Sequence, residues 1–130
     1  MRALPPYARL LQVRTESGPD GAPLLTMPFH EDVIGRPGYL HGGAIAGLLE
    51  IAAFTTLMHA IGDEAVQMKP ITVTVDYMRP GLDSDTKASA VVSRLGATMA
   101  NVEAFAWQEK RELPIASARL NFLLERPKAA

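Results

Sequence analysis

The hydrophobic positions of this chain form one long apolar segment and several segments in which they alternate with polar residues. Residues 44–58 read AIAGLLEIAAFTTLM, which is apolar on every face at helical spacing and contains Glu50 as its only charge. A helix that is hydrophobic all round belongs inside a core rather than on a surface. The pattern therefore predicts a buried central helix that ends near Gly62, since glycine readily adopts the left-handed conformation that closes many helices.

The alternating segments are typical of half-buried β-strands. They cover residues 10–15, 24–29, 71–78, 86–95, 98–108 and 116–124. The connections between the later segments are of hairpin length, and alanines recur on one face of the last two, where bulky side chains would hold a helix away. The sequence predicts an α+β fold, a single domain over residues 1–130, in which an antiparallel sheet curls around the helix.

The ends and the segment before the helix lack such patterns. Residues 1–9 contain Pro5 and Pro6 and are expected to be irregular or a short helical turn. Residues 30–40 contain two glycines and a proline and read as a loop that leads into His41. The tail from residue 127 is expected to be frayed.

Composition excludes several classes of function. The 13 Lys and Arg residues are balanced by 14 acidic ones, so no net positive field attracts nucleic acid. The chain has no cysteine, which excludes disulfides, thiol catalysis and thiolate metal sites. His30, His41 and His59 do not fall at a recognisable metal-ligand spacing. Without an apolar signal core or about twenty uninterrupted apolar residues, the chain is expected to be a soluble cytoplasmic protein that does not cross a membrane.

The start of the helix is a candidate site because Gly42 and Gly43 lie there. The first N–H groups of a helix have no intrahelical acceptor and sit at the positive end of its dipole. Glycine lets a ligand approach these groups closely, so the terminus can hold an oxyanion or polarise a carbonyl. The structural alternative is an ordinary joint between loop and helix, in which His41 only orients the turn.

Glu50 has two interpretations. An unpaired carboxylate among apolar side chains costs several kcal/mol, so the acid either reaches solvent or a buried arginine, or serves as a base or nucleophile in an apolar cleft. Gly42 and Glu50 are separated by roughly 12 Å along a helix, too far for one carbonyl to contact both. If both groups serve one reaction, the acid must come from an antiparallel second copy, which predicts a two-fold dimer with two composite sites.

The stretch HGGAIAGLLE at residues 41–50 and the strand end YMRP at residues 77–80 resemble the hotdog-fold thioesterases of the phenylacetate-pathway (PaaI-like) branch. In that family a His-Gly-Gly opens the central helix, and an acid nine residues after the His corresponds to Glu50. The resemblance extends over residues 10–124. One position departs from the family pattern, because an Asn or Gln that helps to bind the thioester or its water is replaced here by Gly35.

The resemblance implies an acyl-CoA thioesterase that uses no metal or cofactor, takes coenzyme A as part of its substrate, and assembles as a homodimer or homotetramer. The Gly42 or Gly43 N–H would bind the thioester carbonyl, and Glu50 of the neighbouring subunit would activate water or attack directly. Arg79 and the turn at Gly96 would lie near coenzyme A, although the basic residue that often follows that glycine is Ala97 here.

The predicted site therefore divides into two sets of residues. The residues predicted for catalysis are His41, Gly42, Gly43 and Glu50. Those predicted for substrate binding are Gly35, Phe54, Met78, Arg79 and Gly96, with Phe54 and Met78 in the acyl pocket. An ion pair between Asp76 and Arg79 is expected to be structural.

Two other functions remain open on the sequence. Gly35 favours a hotdog protein that binds acyl-CoA without hydrolysing it, as a sensor or carrier. A hotdog enoyl-CoA hydratase ranks third, because those enzymes pair an Asp with a His in a different local pattern. Whether the acyl group is a small aryl or a fatty group is not specified by the sequence.

Overall fold

The structure, a computed structural model, describes residues 4–128, so the predicted fraying of residues 129 and 130 lies outside the described residues. Its elements are α1 (Pro6–Leu10), β1 (Arg14–Ser17), β2 (Pro23–Met27), a 3-10 turn (Glu31–Val33), α2 (Gly42–Ile61), β3 (Gln67–Tyr77), β4 (Thr86–Leu95), β5 (Met99–Trp107) and β6 (Ala116–Glu125). The first predicted strand is wrong over residues 10–13. Pro6 occupies the first position of α1, where proline is well tolerated, and the chain then reverses at Gln12 with a φ of 60°.

The six strands form one antiparallel sheet in the order β1-β2-β4-β5-β6-β3, and α2 packs against it. Alanines line the buried face of the middle strands: Ala88 pairs with Ala106, and Ala104 pairs with Ala118. All four are essentially inaccessible to solvent. The predicted fold class is therefore confirmed, and the small side chains allow the sheet to approach the helix closely.

α2 begins after His41 and ends at Gly62, which has a φ of 70° and donates its N–H to the Met58 carbonyl at 3.0 Å. In length and hydropathy alone, this 20-residue helix would suffice to cross a membrane, with a mean hydropathy of 1.7 over an 18-residue window. That window is 56% buried within the fold. This degree of burial is typical of a core helix that packs against a curved sheet.

One side of α2 is not covered by the sheet. Gly43 and Glu50 are exposed, and Ala46, Gly47 and Phe54 are half-buried. These positions recur every three or four residues and form what we call the open stripe of α2. Of the two interpretations of Glu50, the structure of the single chain agrees with a carboxylate that reaches solvent. The prediction that the helix is buried on every face is wrong for the open stripe.

The two edges of the sheet differ in length and in the polarity of their side chains. The β1 edge has only four residues, all polar, whereas the β3 edge has eleven. Ile71, Val73 and Tyr77 on β3 are 54%, 42% and 55% exposed. A long edge strand with exposed apolar side chains and unpaired backbone groups readily pairs with another strand.

Candidate active site

The first turn of α2 is organised by His41. Its Nδ1 atom accepts the N–H of Gly43 at 2.8 Å, and its carbonyl accepts the N–H groups of Ala44 and Ile45. A neutral ring that accepts at Nδ1 carries its proton on Nε2. Within residues 4–128, the N–H of Gly42 has no hydrogen-bond partner. Of the two donors that the sequence left open, Gly42 is therefore available, and Gly43 is engaged by the helix cap.

Gly42, whose N–H is unpaired, is one of the residues that line a concave region of about 640 Å³, which we call the helix-start cleft. Its lining residues are Gly35, Arg36, Tyr39, Leu40, His41, Gly42, Ile45, Tyr77, Met78, Arg79, Pro80 and Gly81. The cleft thus brings together five of the predicted site residues. It contains two arginines and no acidic residue, so its charge and the helix dipole both favour an anionic or strongly polarised group.

Two side chains from the end of β3 and just beyond it hold the far wall of this cleft. The hydroxyl of Tyr77 donates to the Gly42 carbonyl at 2.8 Å, which fixes the ring beside the helix start. The Nη1 atom of Arg79 donates to the Pro114 carbonyl at 2.7 Å. The predicted ion pair between Asp76 and Arg79 is wrong, because Asp76 instead lies 3.9 Å from Arg119 on the adjacent strand β6 and Arg79, beyond the end of β3, donates to a carbonyl.

Gly35 lies where its lack of a side chain is structurally important. A Cβ atom at this position would lie 3.0 Å from the Cα atom of His41, closer than most such contacts. The Gly35 N–H donates to the Tyr39 carbonyl at 2.9 Å, which closes the loop that precedes the helix. The glycine therefore permits the close approach of the loop to His41, and it supplies no side-chain hydrogen bond to the cleft.

Glu50 and Phe54 belong to a different concave region, of about 450 Å³, which we call the Glu50 pocket. Its lining residues are Pro5, Tyr7, Gly47, Glu50, Ile51, Phe54, Pro70 and Phe122. Apart from the Glu50 carboxylate and the Tyr7 hydroxyl, the lining side chains are apolar. The pocket therefore presents one acid beside a surface suited to a hydrophobic group.

The helix-start cleft and the Glu50 pocket share no residue. Met78 lines the first and Phe54 the second, so these two predicted acyl-pocket residues do not face one cavity within a single chain. The separation agrees with the helix geometry, which places Gly42 and Glu50 roughly 12 Å apart along the axis. Within one chain, the predicted site residues Gly42 and Glu50 therefore line two separate regions.

Gly96 lies in the turn between β4 and β5 and lines neither region. The guanidinium of Arg126, just after β6, donates from Nε to the Ala97 carbonyl at 2.9 Å and from Nη2 to the Gly96 carbonyl at 3.2 Å. The turn thus has a basic side chain, although position 97 itself is an alanine. The sequence alone did not reveal this basic side chain, because residues 97 and 126 are far apart in the chain and come into contact only in the folded sheet.

Tyr7, Tyr39 and Tyr77 line the two regions and were not singled out from the sequence, although Tyr77 belongs to the YMRP motif. For Tyr7, the sequence offered one indication: Pro6 is typical of the first position of a helix, so it could have predicted that Tyr7 lies on a short helix. Among residues 4–128, no cluster of three or more His, Cys, Asp or Glu side chains could hold a metal ion.

Comparisons with known proteins agree with this architecture. A family model described as the thioesterase superfamily matches residues 37–115. A protein from Chromobacterium violaceum is 31% identical, with a TM-score of 0.77 over 95% of this chain and 85% of that one. A protein from Bacillus halodurans solved with CoA is 20% identical, with a TM-score of 0.84 over 98% and 83%. A thioesterase from Haemophilus influenzae is 18% identical, with a TM-score of 0.79 over 92% and 82%. A search of curated proteins gave no significant match.

The antiparallel sheet around one long helix, together with these likenesses, defines a hotdog-fold protein. The chain belongs to the thioesterase superfamily, whose model covers more than half of it. Its assignment to the PaaI-like branch stays a prediction.

Proposed function

We propose that this protein is an acyl-CoA thioesterase that works as a two-fold dimer, with the Gly42 N–H of one subunit and the Glu50 carboxylate of the other in each site. The observation that carries the proposal is the unpaired Gly42 N–H in a cleft that contains Arg36 and Arg79 and no acid. Such a donor suits a carbonyl oxygen that becomes negative during the reaction. The likeness to a CoA-bound protein and to a thioesterase supports the same class of substrate.

The edge strand β3 supports the dimer. Ile71 and Val73 are exposed there next to unpaired backbone groups, and pairing with the β3 of a second copy would cover them. An antiparallel pairing of the two edges is two-fold symmetric, so it would bring the open stripes of two α2 helices together in opposite directions. The start of one helix would then lie near Glu50 of the other. A tetramer made of two such dimers is compatible with this arrangement.

The reaction can follow either of two routes with the same residues. In the first, Glu50 takes a proton from water while the oxygen attacks the thioester carbon, and the negative oxygen is held by the Gly42 N–H. The C–S bond then breaks, and the thiolate of coenzyme A receives a proton from Glu50. In the second, the carboxylate attacks the carbon and expels the thiolate, and water hydrolyses the resulting anhydride. Neither route uses a metal or cofactor, and we place the enzyme in the cytoplasm.

Other residues are assigned to binding and positioning. His41 acts by fixing the first turn of α2 through its bond to Gly43. Arg79, near the helix-start cleft, and Arg126, on the turn at Gly96, are the proposed contacts for the anionic part of coenzyme A. Phe54 and the other apolar walls of the Glu50 pocket are proposed to receive the acyl group.

The test is to incubate the purified protein with aryl- and fatty-acyl-CoAs and to follow thiol release. Wild-type protein should turn over at least one member of the panel, and Glu50→Gln should abolish turnover while the fold and the oligomer are unchanged. Glu103→Gln, at an exposed glutamate on β5, is the matched control and should retain activity. Full activity in Glu50→Gln would refute the assigned mechanism.

The second candidate function is an acyl-CoA-binding protein that does not hydrolyse its ligand. The specific observation in its favour is Gly35, which supplies no side-chain hydrogen bond to the helix-start cleft. Tight binding of acyl-CoA by calorimetry, without thiol release from any member of the panel, would favour this function. A hydratase remains third and would instead consume an enoyl-CoA without releasing thiol.

A further inference from the structure

The short helix α1 places the ring of Tyr7 directly on the backbone of α2 at Gly47. A Cβ atom at position 47 would lie 2.6 Å from the Cε2 atom of Tyr7 and 3.1 Å from its hydroxyl oxygen. Real Cβ atoms essentially never approach other atoms so closely, so this ring position requires glycine at 47. The contact places Tyr7 one helical turn from Glu50, on the open stripe of α2.

α1 is held firmly enough for Tyr7 to define a wall. Ala8 and Leu11 are only 1% and 2% exposed, and they anchor the helix in the core. The Leu11 carbonyl accepts a hydrogen bond from the Nε2 atom of His30 at 2.9 Å, and the Ala8 carbonyl accepts one from the Val13 N–H at 2.9 Å. These bonds hold the part of the segment that directly follows Tyr7.

Tyr7 and Phe122 both line the Glu50 pocket, but they differ in their exposure to solvent. Phe122 on β6 is fully buried, whereas Tyr7 is 46% exposed, so the pocket extends from the interior at Phe122 to the surface at Tyr7. Among the described residues, the hydroxyl of Tyr7 has no hydrogen-bond partner, and the side chain is partly open to solvent. Its contribution to the pocket is therefore the area of its ring rather than a polar contact within the chain.

We propose that Tyr7 is a specificity-determining residue, whose ring closes the outer end of the Glu50 pocket and limits the length of the acyl group. This inference rests on the proposed function, because it takes the acyl group to lie in that pocket. Short acyl groups would fill the space up to the ring, and longer chains would meet it. Loss of the ring would open the pocket outward along the open stripe.

The test measures binding, so that it does not depend on hydrolysis. Non-hydrolysable S-alkyl-CoA thioethers with chains of increasing length are titrated calorimetrically into wild-type, Tyr7→Phe, Tyr7→Leu and Tyr7→Ala proteins. In the wild type, affinity should rise with chain length and then fall. In Tyr7→Ala the maximum should move to longer chains, with about fourfold tighter binding for each additional buried methylene. Tyr7→Leu should move this maximum by a smaller amount, and it replaces Tyr7→Ala in the test if the alanine variant does not fold.

Two controls decide what the shift means. Tyr7→Phe keeps the ring and should retain the wild-type length dependence. Leu10→Ala alters an exposed residue of α1 outside the pocket, so this variant should also retain the wild-type length dependence. The proposal is overturned if all variants share one length dependence, if Tyr7→Phe behaves like Tyr7→Ala, or if no thioether binds the wild type. Absence of thiol release together with the expected shift would overturn only the proposed hydrolysis.

Discussion

The Nδ1 atom of His41 accepts the N–H of Gly43 at 2.8 Å, and this bond decides which amide at the helix start remains available. The sequence offers two adjacent glycines with equal claims to bind an oxyanion. Because the Gly43 N–H is bound by the cap, Gly42 is the one of these two glycines whose N–H has no hydrogen-bond partner among residues 4–128. A histidine that looks like a catalytic group in the sequence thus acts through the backbone that it orders.

Replacement of His41 tests this positioning role. His41→Ala removes the helix cap, which should cost about 1 kcal/mol of folding free energy and lower the melting temperature by about 4 °C. Turnover should fall as the first turn loosens. Asn is a strong N-cap, so His41→Asn should restore most of the melting temperature and most of kcat. An Asn variant as stable as wild type but as slow as the Ala variant would instead assign the ring itself to the chemistry.

The donor role of Gly42 can be tested with a matched pair of variants. Gly42→Pro removes the N–H and is tolerated at the first position of a helix, whereas Gly42→Ala keeps the N–H. A Cβ atom at this position would meet the Tyr77 ring at ordinary contact distances of 3.5–3.6 Å, so both variants should fold. We expect kcat to fall about a hundredfold or more in Gly42→Pro and to change little in Gly42→Ala. Equal activities would remove Gly42 from the mechanism.

Mixed subunits test the composite site directly. In a heterodimer of Gly42→Pro and Glu50→Gln chains, one of the two sites receives both intact groups. Random exchange of equal amounts makes half of the dimers mixed, so the mixture should recover roughly a quarter of wild-type activity, while each variant alone stays inactive. Subunit exchange is verified by mass spectrometry. Exchange without recovery would mean that each site is built within one chain.

The β3 edge can be tested by placing a charge on it. Val73→Lys should weaken dimerisation at least about a hundredfold, because an unpaired ammonium would be buried between the two edges. Activity should fall with the dimer. The control is Val91→Lys on β4, at a valine that is 52% exposed compared with 42% for Val73, and this variant should remain dimeric and active. Sedimentation velocity measures the dimerisation of both variants. A Val73→Lys dimer that is as stable as the wild-type dimer would place the interface elsewhere.

Gly35 allows the effect of a side chain to be separated from that of an amide. A Cβ atom there would lie 3.0 Å from His41 Cα, so Gly35→Ala should lower the melting temperature and turnover by displacing the helix start. Gly35→Asn adds the amide that the resembled family carries. A new hydrogen bond of about 1 kcal/mol should make Asn several times faster than Ala. Equal rates in the two variants would show that an amide at this position contributes nothing here.

The sequence predicted the fold well because its two periodicities were unambiguous. The residues from Ala44 onward are apolar at helical spacing, and the later segments alternate cleanly, as with Val102 and Ala104 facing inward and Glu103 facing outward. Hydrophobicity reports that a side chain prefers burial, but it does not report what covers it. For that reason the sequence left open whether Glu50 reaches solvent or lies in an apolar cleft, and in the structure it is exposed on the open stripe.

Contacts between residues that are far apart in the chain could not be predicted from the sequence. Arg126 places a basic side chain at the turn that contains Ala97, and the glycine at position 47 is explained by the contact with Tyr7. Neither pair shows a local pattern, because each meets only after the sheet and α1 have packed. Gly42 and Glu50, in contrast, belong to one helix, so the known rise per residue was sufficient to predict that they could not share a substrate within one chain.

The alanines on the concave side of the sheet divide this molecule into regions of different tolerance to mutation. Ala104, Ala106 and Ala118 are enclosed so tightly that any larger side chain would overpack the interior, at about 1–3 kcal/mol for each substitution. Larger side chains at these positions would lower the stability of the fold, and these alanines line neither the helix-start cleft nor the Glu50 pocket. We therefore expect changes of substrate preference in this chain to be made more readily at exposed positions of α1 and of the β4–β5 turn than on the alanine face of the sheet.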